Sequence, residues 1–322
     1  MPAKKKILVI GAAGQIGSEL VPALRQRYGR DNVIASDHVR RPDKNLLDSG
    51  PFEYVDCLDA KGIHRVVANH KVGTIYHLAA ILSALAEKEP EQAWNVNING
   101  LRNVLETARL RRCSVFIPSS IGAFGLSTPL DNTPQDTVQR PWTMYGITKV
   151  TGELLCDYYF KKFGVDTRGV RYPGIISNVT LPGGGTTDYA VHMFYEALKR
   201  GRYTCYIKKG TYLDMMYMPD AIKAAIDLME ADPSRLKHRN AFNVAAMSFE
   251  PEMLAAEIRK YVPEFEMDYE IDPVRQAIAE SWPNKMDDSC AREEWDWSPD
   301  YDLPKMAEDM MRVLSRRLKE EN

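Results

Sequence analysis

Tyr145 and Lys149 stand four residues apart in the run Thr143-Met144-Tyr145-Gly146-Ile147-Thr148-Lys149. At the start of a helix that spacing puts a phenol and an ammonium on one face, one turn apart. Free tyrosine ionises near pH ~10 and is a poor base at neutral pH, but a lysine charge held a few ångströms away favours the phenolate. Such a pair can take a proton from an alcohol. Tyr-x-x-x-Lys alone describes many solvated helix faces. Two further features give it meaning here: a glycine-rich turn near the N-terminus and the pair Ser119-Ser120 upstream of the tyrosine.

The turn is Gly11-Ala12-Ala13-Gly14-Gln15-Ile16-Gly17. Glycines at this spacing permit a tight strand-to-helix turn, let backbone N–H groups approach a pyrophosphate, and let the helix pack closely on its strand. The spacing is G-x-x-G-x-x-G, not the G-x-G-x-x-G of most dinucleotide folds. Asp37 follows ~20 residues beyond Gly17, where a carboxylate accepts hydrogen bonds from the adenosine ribose. Its charge would repel a 2′-phosphate, so NAD is expected over NADP, with Arg40 and Arg41 weighing the other way.

These groups need a scaffold, and the first half of the chain supplies one. Residues 6–10, 33–37, 53–56, 74–78, 115–119 and 167–171 read as strands, and 15–28, 59–70, 90–111 and 145–163 as helices. That alternation predicts right-handed βαβ units and a doubly wound parallel sheet. In 90–111, Ala93, Val96, Leu101 and Val104 fall on one apolar face. After Arg171 the alternation breaks down, so residues 1–175 are expected to form a Rossmann-type NAD-binding domain. Residues 176–322 then form a smaller α/β substrate domain, with segments returning to the first. The glycine-rich stretch at 181–187 reads as a flexible loop, and Asp272-Pro273 and Ser281-Trp282-Pro283 as loops over a cleft. Helices are expected at 220–230, 251–261 and 305–319.

Composition narrows the partner. Over 322 residues the formal net charge is −2, without a basic stripe for nucleic acid or for an anionic membrane surface. No apolar run is long enough to span a bilayer, and the basic start lacks an apolar signal core. The expectation is a soluble protein of the cytoplasm, or of the mitochondrial matrix had a presequence been removed. Five scattered cysteines fit reduced thiols, and the six histidines show no metal-ligand spacing. The expected partner is a small molecule, with no metal.

With these residues in view the chain resembles the extended short-chain dehydrogenase/reductase superfamily. The resemblance rests on Gly11/Gly14/Gly17, Asp56, Leu78-Ala79-Ala80, Asn97-Ile98-Asn99-Gly100, Ser119-Ser120, Tyr145/Lys149 and Arg171-Tyr172-Pro173-Gly174. Within it, the chain is similar nearly end to end to the short-chain type of L-threonine 3-dehydrogenase. The specific stretches include Pro118-Ser119-Ser120-Ile121-Gly122-Ala123-Phe124-Gly125, Gly183-Gly184-Gly185-Thr186-Thr187-Asp188-Tyr189-Ala190 and Met215-Met216-Tyr217-Met218-Pro219-Asp220-Ala221. Ala279-Glu280-Ser281-Trp282-Pro283 and Asp287-Asp288-Ser289 add to them.

This resemblance implies NAD-dependent oxidation of the threonine side-chain hydroxyl. Ser120 would orient the hydroxyl, Tyr145 would act as base, and Lys149 would favour the phenolate and bind ribose. It places the cofactor against Gly11, Gly14, Gln15, Ile16, Gly17, Asp37, His38, Asp56, Cys57, Leu78, Ala79, Ala80, Asn97, Tyr145, Lys149, Tyr172 and Ile175. It places the substrate against Ser83, Ser120, Tyr145, Gly184, Thr186 and Asp188, and implies a homodimer pairing 90–111 and 145–163 across a two-fold axis. Asp188 suits the substrate ammonium, but Thr186-Thr187-Asp188 reads equally well as a cap for a helix at 189–200. Ser119 reads as a strand-end hydrogen-bonding residue and Trp282 as a packing residue. A nucleotide-sugar epimerase or dehydratase shares the Ser/Tyr/Lys set, although Ile121-Gly122 stand where dehydratases carry an acidic pair. A non-catalytic NAD-sensing protein would not need the tyrosine and lysine.

Overall fold

Seven parallel strands form the central sheet of the computed structural model, which describes residues 6–38, 42–181 and 183–320. Residues 1–5, 39–41, 182 and 321–322 lie outside the described residues, and Arg40 and Arg41 are among them. The strands in chain order are β1 (Lys6–Ile10), β2 (Val33–Asp37), β3 (Phe52–Tyr54), β4 (Val72–His77), β5 (Ser114–Ser120), β6 (Thr167–Tyr172), β7 (Gly174–Ile176), β8 (Arg202–Cys205), β9 (Leu213–Tyr217), β10 (Phe242–Asn243), β11 (Met247–Phe249) and β12 (Glu266–Tyr269). The large sheet runs β10-β6-β5-β4-β1-β2-β3. β1 lies between β2 and β4, so the winding reverses there and a crevice opens at the strands' C-terminal ends. This is the expected doubly wound fold. Smaller sheets β11-β9-β7 and β12-β8 lie in the second half of the chain.

Both faces of the large sheet are covered, and its strands are correspondingly apolar on both sides. Leu8, Ile10, Ile34, Ile75 and Val115 pack against helices Ala60–His70 and Leu101–Arg111. Ile7, Val9, Val33, Ala35 and Phe116 pack against helices Gln15–Tyr28 and Met218–Glu230. A separate core joins helices Tyr189–Arg200, Pro251–Arg259 and Leu303–Glu320 to the β7, β9 and β11 strands.

Three expectations are corrected. The helix expected over 90–111 is interrupted by a π-type turn at Asn95–Gly100, between Pro90–Trp94 and Leu101–Arg111. Asp272-Pro273, expected as part of a loop, instead opens helix Pro273–Glu280. The proline sits at its first position, where no N–H is required, and the Asp272 carboxylate accepts from Val274 N and Arg275 N at 2.9 and 3.1 Å. In the glycine-rich stretch expected to be a flexible loop, Thr186–Asp188 make a 3₁₀ turn. β10, which no sequence signal marked, returns to the large sheet beside β6.

One polar network ties helix Met144–Phe163 to this sheet. Glu153 accepts from Arg171 Nε and Nη2 at 3.0 and 2.8 Å, from Gln139 Nε2 at 2.8 Å and from the Ser119 hydroxyl. Arg171 also donates to Gln135 O at 2.8 Å and Asn243 Oδ1 at 3.1 Å, and covers the Phe124 ring at 5.0 Å. Glu153 and Arg171 are both 6% exposed, which makes every one of these bonds necessary. Arg171→Met should therefore lower the folding free energy by about 3–5 kcal/mol by stranding the carboxylate, whereas the Glu153→Leu/Arg171→Met double variant should recover much of that loss. Urea denaturation midpoints of the three proteins measure this; equal loss in single and double variants would contradict it.

Candidate active site

At the C-terminal end of β1 the chain turns through the glycine segment into helix Gln15–Tyr28. A methyl group at Gly17 would lie 2.3 Å from the Gly11 carbonyl oxygen, so only glycine lets the helix sit this close to the strand end. Asp37, at the end of β2, accepts from Ala13 N at 2.9 Å, and His38 Nδ1 lies 3.1 Å from its other oxygen. Gly11, Gly14, Asp37, His38, Asp56, Cys57, Leu78, Ala79 and Ala80 line one cavity of about 490 Å³. Its apolar walls, carboxylate rim and adjoining helix N-terminus fit the adenosine and pyrophosphate of a dinucleotide. Burial pushes the Cys57 thiol up to about 12, so it contributes packing there and not thiolate chemistry.

Farther along the same edge, a second cavity of about 150 Å³ is lined by Gln15, Ile16, Ser83, Ser120, Tyr145, Lys149, Tyr172, Ile175, Thr186 and Asp188. Ser120 ends β5 and Tyr145 opens the Met144–Phe163 helix, whose Thr143 cap accepts from Gly146 N at 3.1 Å. A methyl at Gly122 would stand 3.0 Å from the Tyr145 ring and 3.5 Å from Ser120 Oγ. Hydroxyl and ring thus flank the same glycine, and a side chain there would displace one of them. The Ser120 oxygen accepts from Gly122 N at 3.1 Å, which aims it at the helix start. Lys149 Nζ lies 5.3 Å from the Tyr145 ring centre and donates to Pro118 O at 2.8 Å.

Thr186, which lines the same cavity, is 1% exposed, and its hydroxyl oxygen is buried without a hydrogen-bond partner. Such an atom in a cleft wall is a waiting contact. The Asp188 carboxylate reaches back to Gly184 N and Gly185 N at 2.8 and 2.5 Å, and makes no capping bond to helix Tyr189–Arg200. Burial raises its pKa, against the lowering effect of the two glycine amides and of His192 and Arg275. Arg275 is engaged elsewhere, 3.6 Å from Asp272 and stacked 4.4 Å from Tyr206. Trp282 packs in the core with one edge on the cleft.

Three expected site residues are placed differently from the rest. Gly184 stands behind the wall at φ +99°, and Gly185 lines the cavity in its stead. Asn97 sits in the π-type turn and spends its side chain on Ile81 N and O, at 2.8 and 3.1 Å, and on Thr148 Oγ1 at 3.0 Å. It therefore pins the end of the β4 loop to the Tyr145 helix. The Tyr172 hydroxyl turns away to Ala221 O at 2.5 Å, leaving only the ring near the cleft. Sequence reasoning passed over Glu153, although it follows Tyr145 and Lys149 at the same four-residue interval and so shares their face. Of the expected metal-free histidines, His238 lies with Cys290 and Glu294, but its Nδ1 is held by Glu294 at 2.5 Å and the same carboxylate accepts two backbone amides.

This geometry agrees with what the chain is similar to. An uncharacterized epimerase/dehydratase of Staphylococcus haemolyticus is 56% identical over 97% of this chain and 98% of its own. The L-threonine dehydrogenase of Clostridium difficile has 57% identity and a TM-score of 0.95, over 97% of this chain and 98% of its own. A monomeric L-threonine 3-dehydrogenase from a metagenome has 47% identity and a TM-score of 0.92, over 97% and 99%. Among the described residues no helix is long and apolar enough to cross a membrane. A model of the NAD dependent epimerase/dehydratase family matches residues 7–245; the chain belongs to that family, and NAD is its cofactor.

Proposed function

We propose that this protein oxidises the side-chain hydroxyl of L-threonine to 2-amino-3-oxobutyrate. The observation that carries the reading is one cavity lined both by Ser120, Tyr145 and Lys149 and by Thr186 and Asp188. The first group handles an alcohol, and the second offers a hydroxyl and a buried carboxylate, which suits an amino acid. Similarity to L-threonine dehydrogenases supports the same substrate.

In this mechanism Ser120 donates to or accepts from the reacting hydroxyl and holds it against Tyr145, which removes its proton as phenolate. The Lys149 ammonium stabilises that phenolate and binds the nicotinamide ribose, with Pro118 O fixing its direction. Asp188 pairs with the substrate ammonium and Thr186 donates to its carboxylate, with Ser83 beside them. Gly11, Gly14, Gly17 and Asp37 hold the dinucleotide, and NAD when bound supplies the acceptor for the hydride leaving the alcohol carbon. Residues 1–175 serve the cofactor and most of 176–322 the substrate. The setting we propose is the cytoplasm.

Ile147, Leu154 and Tyr158 are 39%, 63% and 52% exposed on the outer face of the Tyr145 helix. Spacings of seven and four make them one stripe, and we propose that a second copy covers it to give a homodimer. Light scattering at micromolar concentration should give twice the chain mass, and Leu154→Glu should give the single mass. A wild-type monomer would remove the interface.

Tyr145→Phe keeps the ring on Gly122 and removes the base, so kcat for threonine should fall ~10²–10⁴-fold with NAD binding nearly intact. An NADH-formation assay with amino acids and UDP-sugars checks both points, and activity on a UDP-sugar without activity on threonine would end the present reading. Asp188→Asn keeps the acceptor oxygen for the glycine amides but not the charge. A charge-assisted hydrogen bond of ~1.5–3 kcal/mol sets the expected loss at one to two orders of magnitude in kcat/KM. Because burial raises the Asp188 pKa, wild-type threonine affinity should strengthen as pH rises through it, and this dependence should vanish in the variant. Unchanged threonine kinetics with lowered thermal stability would reduce Asp188 to a loop clasp.

A further inference from the structure

Lys149 also lines a third and much smaller cavity, of about 30 Å³, which Tyr145 does not line. His77, Asn97, Pro118, Thr148, Lys149 and Glu153 are among its walls. It has room for one or two waters, since a water needs roughly 10–15 Å³ measured in this way and two or more polar partners. The polar groups around it are mostly committed: Asn97 to Ile81 and Thr148, Glu153 to Arg171, Gln139 and Ser119. Two are not. Lys149 spends one of its three protons on Pro118 O. His77, at the end of β4 and 4% exposed, has a buried Nδ1 without a hydrogen-bond partner.

Lys149 and Glu153 are the charged groups on the cavity wall, and Arg171 neutralises Glu153, so His77 faces a net positive charge. Burial foremost, and that lysine charge second, hold the His77 pKa down to about 4. A neutral imidazole has one acceptor nitrogen, while an ammonium has only donors. The two cannot be paired badly: one supplies what the other lacks.

We propose that His77 is a positioning residue for Lys149, its Nδ1 accepting from a cavity water that in turn accepts from the Lys149 ammonium. The inference rests on the proposed role of Lys149 beside Tyr145. Pro118 O and the His77-bound water hold the ammonium from behind and leave its remaining proton toward the cleft. Held in this direction, the ammonium charge stays beside the Tyr145 ring, where it favours the phenolate. His77 never touches the substrate and carries no proton in the reaction.

The test compares His77→Leu, which removes the acceptor, with His77→Asn, whose amide oxygen stands where Nδ1 does. In His77→Leu the acidic limb of the kcat/KM profile for threonine should move up by about 0.5–1 pH unit, with a kcat loss of about three- to tenfold. His77→Asn should restore the limb. Identical limbs in wild type and both variants, with any rate loss uniform across pH and tracking thermal stability, would overturn the proposal. Should His77→Leu fail to fold, the wild-type enzyme decides: in ¹⁵N-histidine spectra Nδ1 of His77 must remain unprotonated from pH 5 to 9, and an Nδ1–H tautomer overturns the proposal. Tyr145→Phe, assayed in parallel, separates the two layers. If it is inactive while the limbs are unmoved, only the His77 inference fails; if it is active, the Tyr145–Lys149 reading fails with it.

Discussion

The cleft keeps its shape because Glu153 and Arg171 are buried together. Each ion would cost several kcal/mol to desolvate alone, so the pair is tolerable only with all its hydrogen bonds made. Glu153 stands one turn beyond Lys149 and two beyond Tyr145, which means that its four donors fix the rotation of the helix about its axis. One of those donors is Ser119, and side chains alternate along a strand. With Ser119 turned to Glu153, Ser120 is sent the other way, toward the Tyr145 ring. A structural ion pair outside the reaction thus sets the relative placement of Ser120, Tyr145 and Lys149.

Much of this was legible from periodicity. β1, β2 and helix Gln15–Tyr28 end where the residue pattern ends, because apolar strands and a glycine turn leave few alternatives. What was not legible depends on contacts distant in sequence. β10 is two residues long and is a strand only because β6 lies beside it. The π-type turn at Asn95–Gly100 follows from no local propensity; it lets Asn97 reach Ile81 and Thr148 at once. Asp272-Pro273 reads as a loop by its proline, yet an aspartate cap followed by proline at the first helical position also starts a helix, and here it does.

For the site, residue chemistry was a better guide than local structure. Ser120, Tyr145, Lys149, Thr186 and Asp188 are spread over nearly seventy positions, and the fold brings them to one cavity. The cap reading of Asp188 could not be settled by sequence, because a carboxylate before a helix can bond forward or backward. It bonds backward, to Gly184 and Gly185, and so closes the loop that carries Thr186. His77 left no signal of its own in sequence: a histidine ending an apolar strand is an ordinary core residue until its unpaired nitrogen is seen beside Lys149.

The return of β10 bears on how the chain is made. Arg171 needs Asn243 Oδ1 and Gln135 O, and Gln135 is itself held by Asn243 N at 2.8 Å and Ala241 O at 2.8 Å. During synthesis from the N-terminus, every residue lining the dinucleotide turn exists long before residue 243 emerges, yet the arginine that holds the Tyr145 helix has no complete partner set until then. Contacts of such long sequence separation form late. A nascent chain can therefore assemble its dinucleotide crevice while the Tyr145 helix is still unlocked, and that helix is locked only when translation has passed residue 243.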